Sequence, residues 1–530
     1  MKNFKSTALM MLVCIFAAVG FTACSDDDVL KDIKSNSISA NAPVQDVQVM
    51  QTGYMSAEMS STALTRAAQG AELTPEDIKV TQLTEQQVNA FDMNKDGKGG
   101  KSSFFMYKWA TLRYKCNTAD GTQKNLSELV VWPYRFGDRT PSQLIIGCHS
   151  TITSDAERPT NFSEHSSASE MNMLALFANG LSQNALVVVP DYEGYGSTAS
   201  YAHPYCNREL TAEQVVTGTK AALSWFESKV VKMSDSWSAV AIGYSQGGAV
   251  AAGVMRYCQQ HGESSLRLKG AVCGDGPYDP LATLKRYIAT DKLYMPVAPA
   301  LLLKGMVDTD RDMKLLGCTY QDFVTDNFFQ TGIFDMIQSK QKSTDDIQDA
   351  MLKHSYLYGD KGGFTMMAMT SDGFKPYTPA NSKKSNGRTY SYKLANGKGY
   401  NYCTVDQCFK PGVIAYFRDG VVTGDVPEAK LKALENALAK NRLTEGDFVP
   451  NRNFTFFHSV GDEVVPFCNY ESVRSAWGSN IIKGVAYQSN TTLHVGTGET
   501  FFTTYCGSLV GEIFNDKWSA CETTAGMGLI

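Results

Sequence analysis

The stretch SAVAIGYSQGGAVAAGVMRYC, residues 238–258, constrains the fold of this chain more than any other. An apolar run typical of a buried strand ends at GYSQG, and a run of small residues typical of a helix follows at once. Gly243 and Gly247 flank Ser245 at the GxSxG spacing, which is used where a strand and a helix approach too closely for side chains. The pattern predicts a strand-to-helix elbow that presents Ser245 as a nucleophile.

Short apolar runs and helical patterns alternate around this elbow. QLIIGC, ALVVVP, SAVAIG and LKGAVCG are typical of strands buried on both faces, and a β-rich hairpin with a turn at Asp120-Gly121 precedes them. Such alternation predicts an α/β fold with a mostly parallel sheet and helices on both faces. The alternation lapses after Asp279 and returns in NFTFFHSV and IKGVAYQSN, and the chain ends in a helical pattern after Gly498.

These patterns divide the 530 residues into five parts. A run rich in Ser, Ala, Gln, Asp and Thr predicts a flexible tether, and LTPEDI predicts the first helix, with Thr74 as its cap and Pro75 at its first position. The predicted parts are a signal peptide at 1–23, the tether at 24–73, the first part of the core at 74–279, a large helical insertion at 280–450, and the last core strands at 451–530.

The N-terminus has the pattern of an export signal. Lys2 and Lys5 precede an apolar run that is too short for a spanning helix, and FTAC then ends at Cys24. Small residues before a cysteine resemble a bacterial lipobox, and the acidic SDDD resembles the surface-export signal of Bacteroidetes lipoproteins. We therefore expect a protein of the cell envelope, lipid-anchored at Cys24 in the outer membrane and surface-exposed. An ordinary signal peptide cleaved nearby is the alternative.

Composition excludes several classes of protein. The net charge of −5 and the absence of a basic block argue against a nucleic-acid partner. No CxxC or HExxH spacing occurs, so we expect no metal site. Eleven cysteines remain besides Cys14 and Cys24, an odd number that does not fit a compact disulfide framework. Cys403 and Cys408 are close enough in sequence to pair.

A serine nucleophile needs a histidine base and an acid, and chain order selects the candidates. In the α/β-hydrolase arrangement the acid follows a late strand and the histidine comes last. Asp462 follows NFTFFHSV, and His494 is the only histidine beyond it, while His458 within the strand is interpreted as structural support. Three other acids stay open as alternatives: Glu463, Asp275 and Asp279.

The oxyanion of such a reaction needs two hydrogen-bond donors. The backbone N–H of Gln246 is one candidate, because it would lie at a helix N-terminus. The second donor should come from the turn His149-Ser150-Thr151 after QLIIGC, with Thr151 assigned by position. His149 itself is interpreted as a structural loop residue.

PDYEGYG at 190–196, together with GYSQGG, the His149 turn and HSVGDEVVPF, resembles the secretory lipase family of α/β-hydrolases, whose familiar members are the fungal lipase A-type enzymes. The resemblance runs in order from about residue 100 to the C-terminus. It implies hydrolysis of carboxylic esters without a cofactor and a cap or lid formed by the insertion at 280–450. Many members carry His-Gly-X at the turn, where this sequence has Ser150.

The fold does not determine the substrate, and three other functions stay open. The chain would act as an esterase on acetyl or aromatic acyl groups of polysaccharides, as a serine peptidase, or as a non-catalytic binding protein on a hydrolase scaffold. The complete Ser-Asp-His order argues against the last. The expected partners are a small-molecule or lipid ester and, through the lipid anchor, a membrane.

Overall fold

A computed structural model describes residues 47–59, 78–90, 103–134, 137–164, 184–370, 373–379, 401–451, 453–489 and 494–526. The predicted signal peptide, Cys24, Thr74 and Pro75 lie outside these ranges. No helix within them is both long and apolar enough to cross a membrane.

The strands, in chain order, are β1 (Gln48–Met59), β2 (Ile78–Leu83), β3 (Ser103–Asn117), β4 (Gln123–Pro133), β5 (Gln143–Cys148), β6 (Ala185–Pro190), β7 (Ser238–Tyr244), β8 (Leu268–Gly274), β9 (Met367–Thr370), β10 (Gly373–Pro376), β11 (Phe454–Ser459), β12 (Lys483–Gln488) and β13 (Cys521–Gly526).

The α-helices are α1 (Glu85–Ala90), α2 (Arg208–Lys229), α3 (Gln246–Gln260), α4 (Pro280–Thr290), α5 (Val297–Thr309), α6 (Arg311–Leu315), α7 (Tyr320–Phe323), α8 (Asp326–Phe329), α9 (Ile333–Ser339), α10 (Thr344–Tyr358), α11 (Val405–Cys408), α12 (Pro411–Asp419), α13 (Glu428–Lys440), α14 (Cys468–Trp477), α15 (His494–Thr500) and α16 (Cys506–Phe514). A π-helical turn, Phe501–Tyr505, joins the last two.

An eleven-stranded sheet forms the centre of the molecule, in the order β13-β12-β11-β8-β7-β5-β6-β4-β3-β1-β2. Pairing is parallel from β6 through β5, β7, β8, β11 and β12 to β13, and antiparallel from β6 through β4, β3 and β1 to β2. The predicted α/β fold with a mostly parallel sheet is therefore confirmed. The runs predicted as strands correspond to β3 to β8, β11 and β12.

The central strands are apolar throughout because both faces of the sheet are covered. In β5, Leu144 and Ile146 join one buried cluster with α2 and α3, while Ile145 joins a second cluster with the π-helical turn and α16. Alternate residues of a strand point to opposite faces, so a strand between two helical layers needs apolar residues at every position. This explains why the runs are continuous rather than alternating.

Three local predictions differ from the structure. The segment expected to be a tether contains β1, which pairs with β3 from Gln48 to Met59 and buries Met55. A strand, β2, occupies Ile78–Leu83, where we expected a helix, and β13 follows the C-terminal helices. Composition hides β2 and β13 because they are edge strands with one neighbouring strand each, so they need few apolar residues, and β1 lies next to that edge, between β3 and β2.

The start of α2 is not where its sequence pattern indicates. Thr211 and Gln214 have the spacing of a capping box, but α2 begins one turn earlier, at Arg208, and is capped by the side chain of Asn207, which accepts from the N–H of Leu210. Asn and Thr are both good caps, so the local pattern alone does not choose between them.

The segment between β8 and β11 contains α4 to α13 and the β9–β10 hairpin, and it has an apolar cluster of its own. Leu301, Phe328 and Phe364 are fully or almost fully buried in this cluster. The segment contacts the core close to the turn after β11, which contains Asp462 and is called the acid turn below. There the Tyr287 hydroxyl donates to the Val464 carbonyl oxygen. The helical insertion therefore packs beside the carboxyl ends of the central strands.

The cysteines within the described residues are free thiols, and most of them are buried. Cys403 and Cys408 are neighbours in the insertion, with their sulfur atoms 3.5 Å apart.

Candidate active site

Ser245 lies between β7 and α3 with φ 57° and ψ −127°. A positive φ in a residue other than glycine is rare and strained. The chain holds it because both flanking glycines meet backbone: a Cβ on Gly243 would clash with the carbonyl of Gly247, and a Cβ on Gly247 would clash with the carbonyl of Cys148. The sharp turn lifts the Ser245 hydroxyl away from the sheet at the carboxyl end of β7.

The structure brings His494 and Asp462 to this serine. Nε2 of His494 is 2.8 Å from Oγ of Ser245, and Nδ1 is 2.5 Å from Oδ2 of Asp462. Asp462 lies in the turn after β11, and His494 begins α15 after β12. All three residues are buried, at 7%, 6% and 7% exposure for Ser245, His494 and Asp462. Two consecutive hydrogen bonds therefore join an acid, an imidazole and a hydroxyl in a water-poor site.

Backbone donors hold the acid in place. The Oδ1 atom of Asp462 accepts from the N–H groups of Val464 and Val465 at 2.8 and 2.7 Å. Burial raises the pKa of Asp462, and the nearby Asp275 side chain and the hydrogen bonds from these two N–H groups oppose that rise. Three donors, including the imidazole, converge on this carboxyl, which is the arrangement of an ionised carboxylate.

Burial lowers the pKa of His494, and the nearby carboxyls of Asp275 and Glu463 oppose the effect. The imidazole is therefore neutral at rest. With its Nδ1–H directed at Asp462, its Nε2 atom is free to accept the proton of Ser245. This arrangement can activate a hydroxyl as a nucleophile.

The alternative acids occupy other positions. Oε2 of Glu463 accepts from the backbone N–H of His494 at 3.1 Å, so it holds the main chain rather than the imidazole. Burial and the charge of Asp462 raise the pKa of Glu463 to about 8. Asp279 caps α4 through the N–H of Ala282. Asp275 lies directly after β8 and contacts Tyr244 rather than the imidazole.

The region of the elbow contains a histidine that sequence reasoning missed. Nδ1 of His203 is 2.7 Å from the Glu193 carbonyl oxygen, and Nε2 is 2.7 Å from Nε2 of Gln246. The first nitrogen must donate, so the second accepts from the Gln246 amide. Burial lowers the pKa of His203 to about 3, which keeps the ring neutral. Chain order discarded His203 because it precedes Ser245, and no local pattern marked it.

The turn after β5 lies against the elbow, as the contact of Gly247 with the Cys148 and His149 carbonyls shows. Ser150, where the family usually has glycine, donates its hydroxyl to the Tyr244 carbonyl at 3.1 Å. The Thr151 hydroxyl meets the Tyr205 hydroxyl at 3.0 Å, and the ring of His149 stacks on Tyr192. Ser150 thus connects the turn to the elbow through a side-chain hydrogen bond that a glycine could not make.

Asp275, His458 and Asp462 place one potential ligand atom each within 4.8 Å of one another. The four carboxyl oxygens, however, already have hydrogen-bond partners in the protein. His458 donates Nε2–H to the Val465 carbonyl at 3.0 Å, which supports the acid turn. A cation would find only Nδ1 of His458 without a partner among the described residues, so the cluster does not fit a metal.

A serine elbow after a central parallel strand, with an acid and then a histidine after later strands, defines the α/β-hydrolase class of proteins. Residues 157–365 match the family described as Secretory lipase. The chain therefore has the α/β-hydrolase fold and matches the secretory lipase family over this part of its length, which places it among the carboxylic ester hydrolases. No curated protein matches it by sequence.

Solved structures share the fold at low sequence identity. A ligand-bound form of the rice cell wall degrading esterase LipA from Xanthomonas oryzae is 15% identical, with a TM-score of 0.54 over 89% of this chain and 99% of that chain. A putative hydrolase from Legionella pneumophila is 14% identical, with a TM-score of 0.54 over 78% and 91%. Candida antarctica lipase A in its closed state is 12% identical, with a TM-score of 0.50 over 80% and 82%.

Proposed function

We propose that this protein cleaves carboxylic esters through an acyl-enzyme intermediate, with Ser245 as nucleophile, His494 as base and Asp462 as the acid that orients it. The observation that carries the proposal is the pair of hydrogen bonds from Ser245 Oγ to His494 Nε2 and from His494 Nδ1 to Asp462 Oδ2. The strained backbone of Ser245 supports it, because such strain is typical of catalytic positions.

In this mechanism His494 takes the hydroxyl proton as Ser245 attacks the ester carbonyl, and then returns it to the departing alcohol. Asp462 holds the imidazole in the correct tautomer and stabilises its charged form. A water molecule activated by His494 then attacks the acyl-enzyme and releases the carboxylic acid. No cofactor is required for any of these steps.

The backbone N–H of Gln246 is the first oxyanion donor in this proposal, because it lies at the start of α3, where the helix dipole favours negative charge. The N–H of Thr151 is the second. The contact between the elbow and the turn after β5 supports this assignment, since it brings both segments to one side of Ser245.

The substrate proposed first is a lipid or small-molecule ester. Ser245 is 7% exposed, so the ester reaches it beneath covering residues, and we assign the helical insertion with its apolar cluster as the cap over the site. The second candidate is an acyl group on a polysaccharide. Its support is that one solved structure of the same fold is described as a cell wall degrading esterase.

We also propose that the protein is exported and anchored to the cell envelope through lipidated Cys24, in the outer membrane and exposed at the surface. The support is the N-terminal sequence, with Lys2 and Lys5 before an apolar run that ends at Cys24. Radiolabelled palmitate should enter the wild-type protein and not Cys24→Ala. Equal incorporation into both would contradict the proposed anchor.

A fluorophosphonate probe tests the nucleophile directly. The wild-type protein should be labelled at Ser245, and Ser245→Ala should lose both labelling and ester turnover while keeping its circular dichroism spectrum. Ser228→Ala is the matched control, because among the described residues the Ser228 hydroxyl bonds only the Trp225 carbonyl of its own helix. Undiminished labelling of Ser245→Ala would refute the assignment.

An ester series of increasing acyl length, run beside acetylated and feruloylated sugars and an aminoacyl amide, separates the substrate classes. Preference for long acyl chains supports a lipase, and preference for the sugars supports the polysaccharide esterase. Turnover of the amide alone would instead indicate a peptidase, and no turnover at all would indicate a binding protein on a hydrolase scaffold.

A further inference from the structure

We propose that Asp275 is held as a neutral carboxylic acid and acts, through the hydroxyl of Tyr244, as a positioning residue for the backbone of His494. This inference rests on the proposed function of Ser245 and His494. It assigns a role to a buried carboxyl that takes no part in the proton transfer described above.

The Tyr244 hydroxyl has one hydrogen but two oxygen atoms at hydrogen-bond distance, and this determines the protonation of Asp275. The Tyr244 hydroxyl is 2.6 Å from Oδ2 of Asp275 and 2.6 Å from the carbonyl oxygen of His494. A carbonyl oxygen only accepts, so Tyr244 gives its single hydrogen to His494. The second short contact is then a hydrogen bond only if Asp275 carries a proton on Oδ2 and donates it to Tyr244. With an ionised Asp275, one of the two contacts would be a repulsion between oxygen atoms.

The other oxygen of Asp275 agrees with this assignment. Oδ1 accepts from the backbone N–H of Ser459 at 2.7 Å, which is the bond expected of the carbonyl oxygen of an acid. The residue is fully buried, and its own N–H donates to the Phe457 carbonyl at 2.8 Å. The side chain is therefore fixed in one orientation, with a donor facing one oxygen and an acceptor facing the other.

The charges around Asp275 favour the same state. A second carboxylate beside that of Asp462 would place two negative charges in a buried site, and like charges at short range disfavour ionisation. Burial raises the pKa of Asp275 to about 7, with Asp462 adding to the rise and His458 and His494 opposing it. The titratable groups that face Asp275 from the packed elements are Tyr244, Tyr278, His458, Asp462 and His494.

The hydrogen bond from Tyr244 to the His494 carbonyl joins two parts of the site that are distant in sequence. Tyr244 directly precedes Ser245, and its hydroxyl reaches the main chain of His494, 250 residues later. When Asp275 loses its proton at higher pH, the Tyr244 hydrogen turns to the carboxylate. The His494 carbonyl then loses its donor, and the imidazole loses part of its positioning. The rate should therefore fall as pH rises through the ionisation of Asp275.

Asp275→Asn and Asp275→Ala test the inference. The amide of asparagine donates to Tyr244 and accepts from Ser459 as the neutral acid does, but it does not ionise. In ester hydrolysis, Asp275→Asn should stay within about threefold of wild-type kcat near neutral pH and lose the alkaline decline, whereas Asp275→Ala and Tyr244→Phe should lose about tenfold or more. An Asp275→Asn variant as impaired as Asp275→Ala, or one that keeps the alkaline decline, would overturn the inference.

A measurement independent of turnover covers the case in which a variant folds poorly. The infrared difference spectrum between wild type and Asp275→Asn below pH 7 should contain the carbonyl stretch of a protonated carboxylic acid, and an ionised carboxylate band in its place would overturn the inference. Ester turnover by Ser245→Ala would instead show that the proposed function has failed, so the two failures are distinguishable.

Discussion

Gly243 lies against the backbone of Gly247 so closely that a Cβ on Gly243 would sit well under 3.0 Å from the Gly247 carbonyl oxygen. Gly247 is just as close to the Cys148 carbonyl. Backbone atoms cannot rotate away as a flexible side chain does, so a methyl group at either position displaces the elbow itself. The position of Ser245 therefore depends on glycine, which has no side chain, at both 243 and 247.

Gly243→Ala should accordingly lower the free energy of unfolding by about 1–3 kcal/mol or more and abolish probe labelling of Ser245. Gly511→Ala is the control. Within the described part of the chain, its added methyl group in α16 meets only the Asn515 amide, at 4.0 Å, so the free energy of unfolding should rise by about 0.5–1 kcal/mol. Urea unfolding measures both variants, and equal stabilities for the two would contradict the account of the elbow.

Variants of Asp462 and of its neighbour Glu463 test which carboxyl is the acid that orients His494. Asp462→Asn should lower kcat by about 10⁴, the loss known for the corresponding amide in a serine protease, because the imidazole takes the wrong tautomer. Glu463→Gln should lose no more than about tenfold, since its amide oxygen still accepts from the N–H of His494. Steady-state kinetics on a soluble ester decide between them, and the reverse ranking would make Glu463 the acid.

The bond between His203 and Gln246 should matter for the rate more than for substrate binding. His203→Ala leaves the Gln246 amide without its acceptor beside the first oxyanion donor, and kcat should fall about tenfold with little change in KM. His261→Ala is the control, because that ring is exposed and pairs with Glu209 at the surface. A change confined to KM would show that His203 does not act on the oxyanion side.

Glu128 should make stability depend on pH away from the active site. It is fully buried, both its oxygens are without partners among the described residues, and burial with the neighbouring Asp191 raises its pKa well above the usual range. The unfolded carboxyl ionises near pH 4.3, so between that value and the folded pKa the native state holds the extra proton and stability falls as pH rises.

Glu128→Gln removes this titration. The free energy of unfolding of the variant, relative to wild type, should increase as pH rises above about 5, whatever the constant cost of the amide. Urea unfolding at several pH values provides the measurement. A difference that does not change with pH would show that Glu128 ionises normally in the folded protein.

Short-range patterns determined much of this protein. The strands β5 to β8 follow continuous apolar runs, because burial on both faces leaves no polar position in a central strand. The elbow follows from two glycines and a serine, since only that spacing lets β7 and α3 approach. The roles of Ser245, Asp462 and His494 could also be predicted from their order along the chain, because the carboxyl ends of parallel strands lie at one edge of the sheet.

Only the tertiary structure decided the rest. Asp462 and Glu463 are adjacent in sequence, and the path of the turn after β11 determines what each of them contacts. Asp462 bonds the imidazole of His494, whereas Glu463 bonds its backbone N–H. The roles of His203 and Asp275 come from contacts between distant elements, and no local pattern encodes them. Edge strands such as β2 and β13 depend on a partner rather than on their own apolar residues, so the sheet, and not the segment, determines their conformation.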